Sequence, residues 1–170
     1  MKNLLFIAAF ALLVSCNTPA PETTDAAPIE RSIGFNTMLP ELKFHLGTED
    51  AITVVKKLDE VWAAMDYDAM RPFFADTAKF FFPDGMVLKS ADDFLKLLAE
   101  DESEHTWTFD YAYSVDLDPS LGGEHVQAGF TGTEVKDGVE KKNKVHESYY
   151  IVDGKIVMWT QYKMEVLEKE

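Results

Sequence analysis

The chain has 170 residues, 46% hydrophobic and 27% charged, which is room for one folded domain and too apolar for a disordered chain. Thirty acidic residues against sixteen Lys and Arg give a net charge of −14, which argues against nucleic acid and against electrostatic docking on anionic lipid. The single cysteine, Cys16, excludes an internal disulfide framework and a multi-cysteine zinc site.

Lys2 precedes an unbroken apolar run from Leu4 to Val14, eleven residues long and too short to span a bilayer, which needs about 20. That length suits the core of a secretory signal. The run closes on Leu13-Val14-Ser15-Cys16, which resembles the lipobox of bacterial lipoproteins. The resemblance implies a signal peptide over 1–15 and acyl chains on Cys16. Several chains anchor stably at about 0.8 kcal/mol per buried CH₂, where one would be marginal. An ordinary signal with a chance cysteine is the alternative. The implied location is the cell envelope, on the periplasmic side of the outer membrane if the host is Gram-negative, since Asn17 stands where a retention Asp would be.

Residues 16–28 read as the lipidated cysteine and a flexible, proline-containing tether. Residues 29–46 carry Ile33, Phe35, Met38, Leu39, Leu42, Phe44 and Leu46, too apolar for a linker, and are expected as an irregular strap. From 47 to 170 the signals are those of a folded domain. Thr48 caps a helix whose apolar residues Val54, Val55, Leu58, Val61, Trp62 and Met65 recur every three or four positions. Asp68 is expected to cap a second, shorter helix (AMRPFFA, residues 69–75) with Pro72 in its first turn, and Lys79–Pro83 to form a short strand into the Asp84-Gly85 turn. Ser90 and Asp93 form a capping box for a third helix through Phe94 and Leu98.

The remainder reads as strands. Trp107, Phe109, Tyr111, Tyr113 and Val115 alternate with small or polar residues, which predicts an aromatic inner face. Asp137-Gly138 and Asp153-Gly154 are hairpin turns that set register. They place Val126, Ala128 and Phe130 opposite Tyr149, Glu147 and Val145, with Ile151, Ile156, Met158, Thr160 and Tyr162 on that inner face. Tyr150, Val157 and Trp159 fall on the outer face, beside His146 and Gln161. A β-bulge would invert part of this assignment.

Helices followed by antiparallel strands argue for an α+β domain. The stretch LGTEDAITVVKKLDEVWAAMDYDAMRPFFADTAKFFFPDG, with DGKIVMWTQY later, resembles the SnoaL-like domains of the nuclear transport factor 2-like superfamily. The resemblance runs from about Leu46 to Val166 and implies three N-terminal helices on a curved, mostly antiparallel sheet, forming a cone with a pocket. It implies no cofactor and no single activity, because that superfamily includes isomerases, dehydratases, hydrolases and cyclases beside members without a reaction. Many of its members carry an Asp two residues beyond the final-strand aromatic, where this chain has Met164 after Tyr162.

Glu147 on the inner face is the candidate acid/base, since a carboxyl there must be paired, bonded or neutral. The alternative is a carboxyl solvated at the cone mouth. Phe82, Trp107, Phe109, Tyr111, Phe130, Tyr149, Met158, Thr160 and Tyr162 are candidate pocket-lining residues, or simply core. Adjacent strand positions point to opposite faces, so His146 and Glu147 do not form a dyad. The histidines lack metal-ligand spacing, so no metal site is expected. Tyr150, Val157 and Trp159 on the outer face suggest a homodimer interface, unless the strap covers them. Two functions stay open. One is a lipid-anchored, non-catalytic module for a small apolar ligand or an interaction partner. The other is a cofactor-free enzyme moving a proton on such a molecule through Glu147.

Overall fold

The computed structural model describes residues 32–167, so the expected signal segment, Cys16 and the tether lie outside the described residues. Helix α1 (Glu49–Ala63) starts where Thr48 Oγ1 accepts from the Ala51 amide at 3.2 Å. It ends where Met65 turns left-handed at φ 54°. That turn frees Asp66, not Asp68, to cap α2 (Tyr67–Met70) by accepting from the Ala69 amide at 3.0 Å. The second helix is thus one turn, and Pro72 lies in the 3₁₀ turn Arg71–Phe73 after it. Helix α3 (Ala91–Ala99) opens on the expected Ser90–Asp93 capping box.

Among the described residues, eight strands form one open, mixed sheet. Its centre is a meander of β5 (Glu104–Asp116), β6 (Gly123–Lys136), β7 (Val139–Val152) and β8 (Lys155–Glu165). Beyond β8 lies β3 (Phe74–Phe81), paired parallel, and then β4 (Val87–Leu88). Beyond β5 lie β2 (Phe44–Leu46) and β1 (Ser32–Ile33). The expected strap therefore pairs onto the edge of the sheet instead of lying across a face, and Phe35 and Met38 stay exposed. The helices are not one N-terminal block, because β1 and β2 precede α1 and the β3–β4 hairpin separates α2 from α3. The core joins Val55 and Leu58 of α1 and Phe94 of α3 to Phe74, Phe80, Val126, Tyr149, Ile156 and Trp159 of the sheet.

Both Asp-Gly turns form as expected, with φ near 51° at each Asp and positive φ at each Gly. Register between β6 and β7 agrees throughout, with Ala128 opposite Glu147 and Phe130 opposite Val145. Two bulges change the rest. After Ile151 pairs Ile156, Tyr150 pairs Met158 and not Val157, so every later residue of β8 exchanges faces. Trp159 moves inside, 2% exposed, while Met158, Thr160 and Tyr162 move outside. The expected interface set of Tyr150, Val157 and Trp159 is corrected accordingly, because its central residue is core. The physical reason is area. Burying an indole removes roughly 200 Å² from water, worth about 5 kcal/mol at 25 cal/mol per Å².

The second bulge lies at Asp110, between the pairs Phe109–Phe130 and Tyr111–Gly129. It turns Tyr111 and Tyr113 outward, each about half exposed, and the Tyr111 hydroxyl lies 3.3 Å from His146 Nδ1. Tyr111 lies over Gly129, where a Cβ would sit 2.2 Å from its ring.

Candidate functional site

The inner face of the sheet, α1 and α3 enclose a cleft of about 690 Å³. Its walls are aromatic. Trp62 of α1 stands edge-on to Phe94 (5.7 Å, 84°) and to Trp107 (6.4 Å, 71°), and Phe82 stands edge-on to Trp159 (5.2 Å, 72°). Glu147 lies in this cleft and is 5% exposed. Its Oε1 accepts from Gln161 Nε2 at 2.9 Å, and its Oε2 accepts from the Tyr149 hydroxyl. Burial raises the Glu147 carboxyl above its ordinary range, against the downward pull of the Tyr149 and Gln161 donors. Burial and the neighbouring Glu147 charge push the Tyr149 hydroxyl up as well. The Trp159 indole N–H is buried beside them and adds to the downward pull on Glu147.

A second carboxyl lines the same cleft. Asp59 Oδ1 accepts from Trp107 Nε1 at 2.7 Å, and burial raises the Asp59 carboxyl. The mouth is ringed by charge. Lys163 bonds Glu134, and His105 Nε2 lies 2.9 Å from Asp101 Oδ2. Although burial opposes it, the Ser103 amide and His105 bring Asp101 down to about 2.

Of the pocket-lining candidates, Phe82, Trp107, Phe130 and Tyr149 line this cleft. Phe109 packs on Phe130 at 4.8 Å and is not part of the lining. Tyr111 and Tyr162, with Met158 and Thr160, sit on the opposite face because of the two bulges. The sequence reading missed Asp59, Trp159 and Gln161. For Asp59 a signal existed, because it falls four residues after Val55 and three before Trp62, an acid within the apolar stripe of α1. Among the described residues no group of three His, Cys, Asp or Glu could hold a metal ion.

The fold has many relatives among solved structures. An LEH-like epoxide hydrolase of M. tuberculosis superposes with a TM-score of 0.58 at 15% identity, over 69% of this chain and 84% of that one. A ketosteroid isomerase (so named provisionally) from Kribbella flavida gives 0.57 at 15% identity, over 74% and 85%. An NTF-2 like protein of unknown function from Burkholderia xenovorans gives 0.55 at 15% identity, over 72% and 88%. The chain has the nuclear transport factor 2-like fold. No family model and no curated protein matches the sequence. At such identities the likeness concerns the nuclear transport factor 2-like architecture alone, and the chemistry has to be argued from the cleft.

Proposed function

We propose that this chain is a small-molecule-binding module of the bacterial envelope, built on a SnoaL-like cone and held to a membrane by acyl chains on Cys16. One observation carries the binding reading. Both oxygens of the buried Glu147 are already engaged by the protein's own Gln161 and Tyr149, at the polar floor of a cleft walled by aromatic rings. A carboxyl so held orients a ligand through the donors around it and is poorly placed to take a proton from one. The apolar walls and the volume suit a small, largely apolar molecule. The neutral dye Nile red tests this. The native protein should bind it, and Val145→Trp, which fills the cleft, should not. Equal uptake by both proteins would overturn the reading. The anchor is tested by Cys16→Ser, which should leave the membrane fraction or remain unprocessed; unchanged partition and unchanged mass would refute lipidation.

A second reading is favoured by the presence of two carboxyls, Asp59 and Glu147, both raised by burial within one cleft. In it the protein is a cofactor-free isomerase, dehydratase or hydrolase, with Glu147 as the acid/base. The distinguishing result is turnover that Glu147→Gln abolishes while Nile red binding persists. The same proposal includes a homodimer through the outer sheet face. With Trp159 inside, its anchors there are Tyr111, Tyr113 and Tyr162.

A further inference from the structure

We infer that the ligand of this cleft is an organic cation, an amine or quaternary ammonium on an apolar body; the inference rests on the binding reading above. Six carboxyl side chains line the cleft against two lysines. The pairs at the mouth, Lys163 with Glu134 and His105 with Asp101, leave the interior to Asp59 and Glu147. Among the described residues no lysine, arginine or histidine forms an ion pair with either of them. Asp59 is held by an indole N–H, and Glu147 by a phenol and an amide, all neutral donors. Two carboxyls taken from water without a counter-ion among the described residues constitute an unfilled electrostatic requirement.

The walls complete the case for an organic cation over a metal. Two carboxyls are too few for a hard cation that takes six or more oxygens. Rings at near right angles around Trp62 present faces and edges to one space, the arrangement that favours a cation over π-electrons. The buried Trp159 indole N–H lies beside Glu147 and favours its ionised form, which a bound cation would hold. Excess negative charge between low-dielectric walls also raises the local concentration of cations at the mouth.

The test is calorimetry with 1-naphthylmethylamine, charged at pH 7, and with 1-naphthalenemethanol, its neutral counterpart of similar shape. The amine should bind at least tenfold tighter. That advantage should shrink with added salt and should be lost in Asp59→Asn and Glu147→Gln, which keep side-chain volume and whose folding is checked by circular dichroism. Should either variant unfold, the salt series on the native protein still decides. Equal or tighter binding of the alcohol would overturn the cation class and leave the binding reading intact. Binding of neither compound, with Nile red still bound, would do the same. Failure of all three probes would overturn both.

Discussion

Glu147 sits where ionisation is costly, and the cost has a pH signature. Its folded value is raised above the 4.5 of an unperturbed glutamate. Stability from this group is therefore complete at pH below the unfolded value and declines as pH rises from there toward the raised folded value. The decline is limited to about 1.4 kcal/mol per pH unit for one proton. Glu147→Gln cannot ionise and keeps the volume. Thermal melts from pH 4.5 to 8 should show the variant gaining on the native protein as pH rises. Parallel melting curves would mean that Glu147 does not carry this penalty. The isosteric partner change, Tyr149→Phe, should cost about 1–3 kcal/mol in denaturant melts by leaving Glu147 Oε2 without its donor.

At the level of elements, the decisive features are a cap and a bulge. The α1 cap is a latch across the fold. Glu124 Oε2 accepts from the Thr48 amide at 2.6 Å and from Ser114 Oγ at 2.7 Å, and its Oε1 accepts from Thr48 Oγ1 at 2.8 Å. Gly47 permits this approach, because a Cβ there would sit 2.1 Å from Ser114 Oγ. The latch ties the start of α1, and with it Asp59 and Trp62, to β5 and β6. The bulge at Val157 does for β8 what the latch does for α1, since it aims Trp159 and Gln161 into the cleft. Inserting one alanine between Val157 and Met158 would shift every later residue of β8 by one position and turn Trp159 out to solvent. The insertion should therefore unfold the domain or lower its stability by several kcal/mol, about the 3–5 seen when a large aromatic leaves a core. A denaturant midpoint close to that of the native protein would show that stability does not depend on Trp159 holding this register.

For the whole molecule, the two sheet faces divide the work. The inner face holds the cleft. The outer face carries Tyr111 and Tyr113 stacked at 6.4 Å, and His146 beside Tyr162 at 6.3 Å, with Tyr162 and Met164 each 63% exposed. In the proposed homodimer this exposed aromatic row is the pairing surface, because it can meet itself across a two-fold axis. Light scattering at tens of micromolar should give a dimer for the native protein and a monomer for Tyr162→Arg. A native monomer at that concentration would remove the dimer from the proposal.

Local signals in the sequence carried most of the fold. Thr48 and Ser90 cap helices because their hydroxyls accept amides three residues on, and the two Asp-Gly pairs adopt the left-handed conformations that a tight hairpin needs. From those turns the register of β6 against β7 follows by counting, which is why Glu147 was legible as an inward carboxyl. Counting ends at an inserted residue. Neither Asp110 nor Val157 differs in type from its neighbours in any way that marks a bulge, yet each reverses the faces beyond it. Only packing chose between Trp159 inside and Tyr162 inside. The indole removes more apolar area from water, and the tyrosine keeps its hydroxyl hydrated. The same reversal brought Gln161 to Glu147, so the partners of the site were decided by tertiary contacts that no local pattern records.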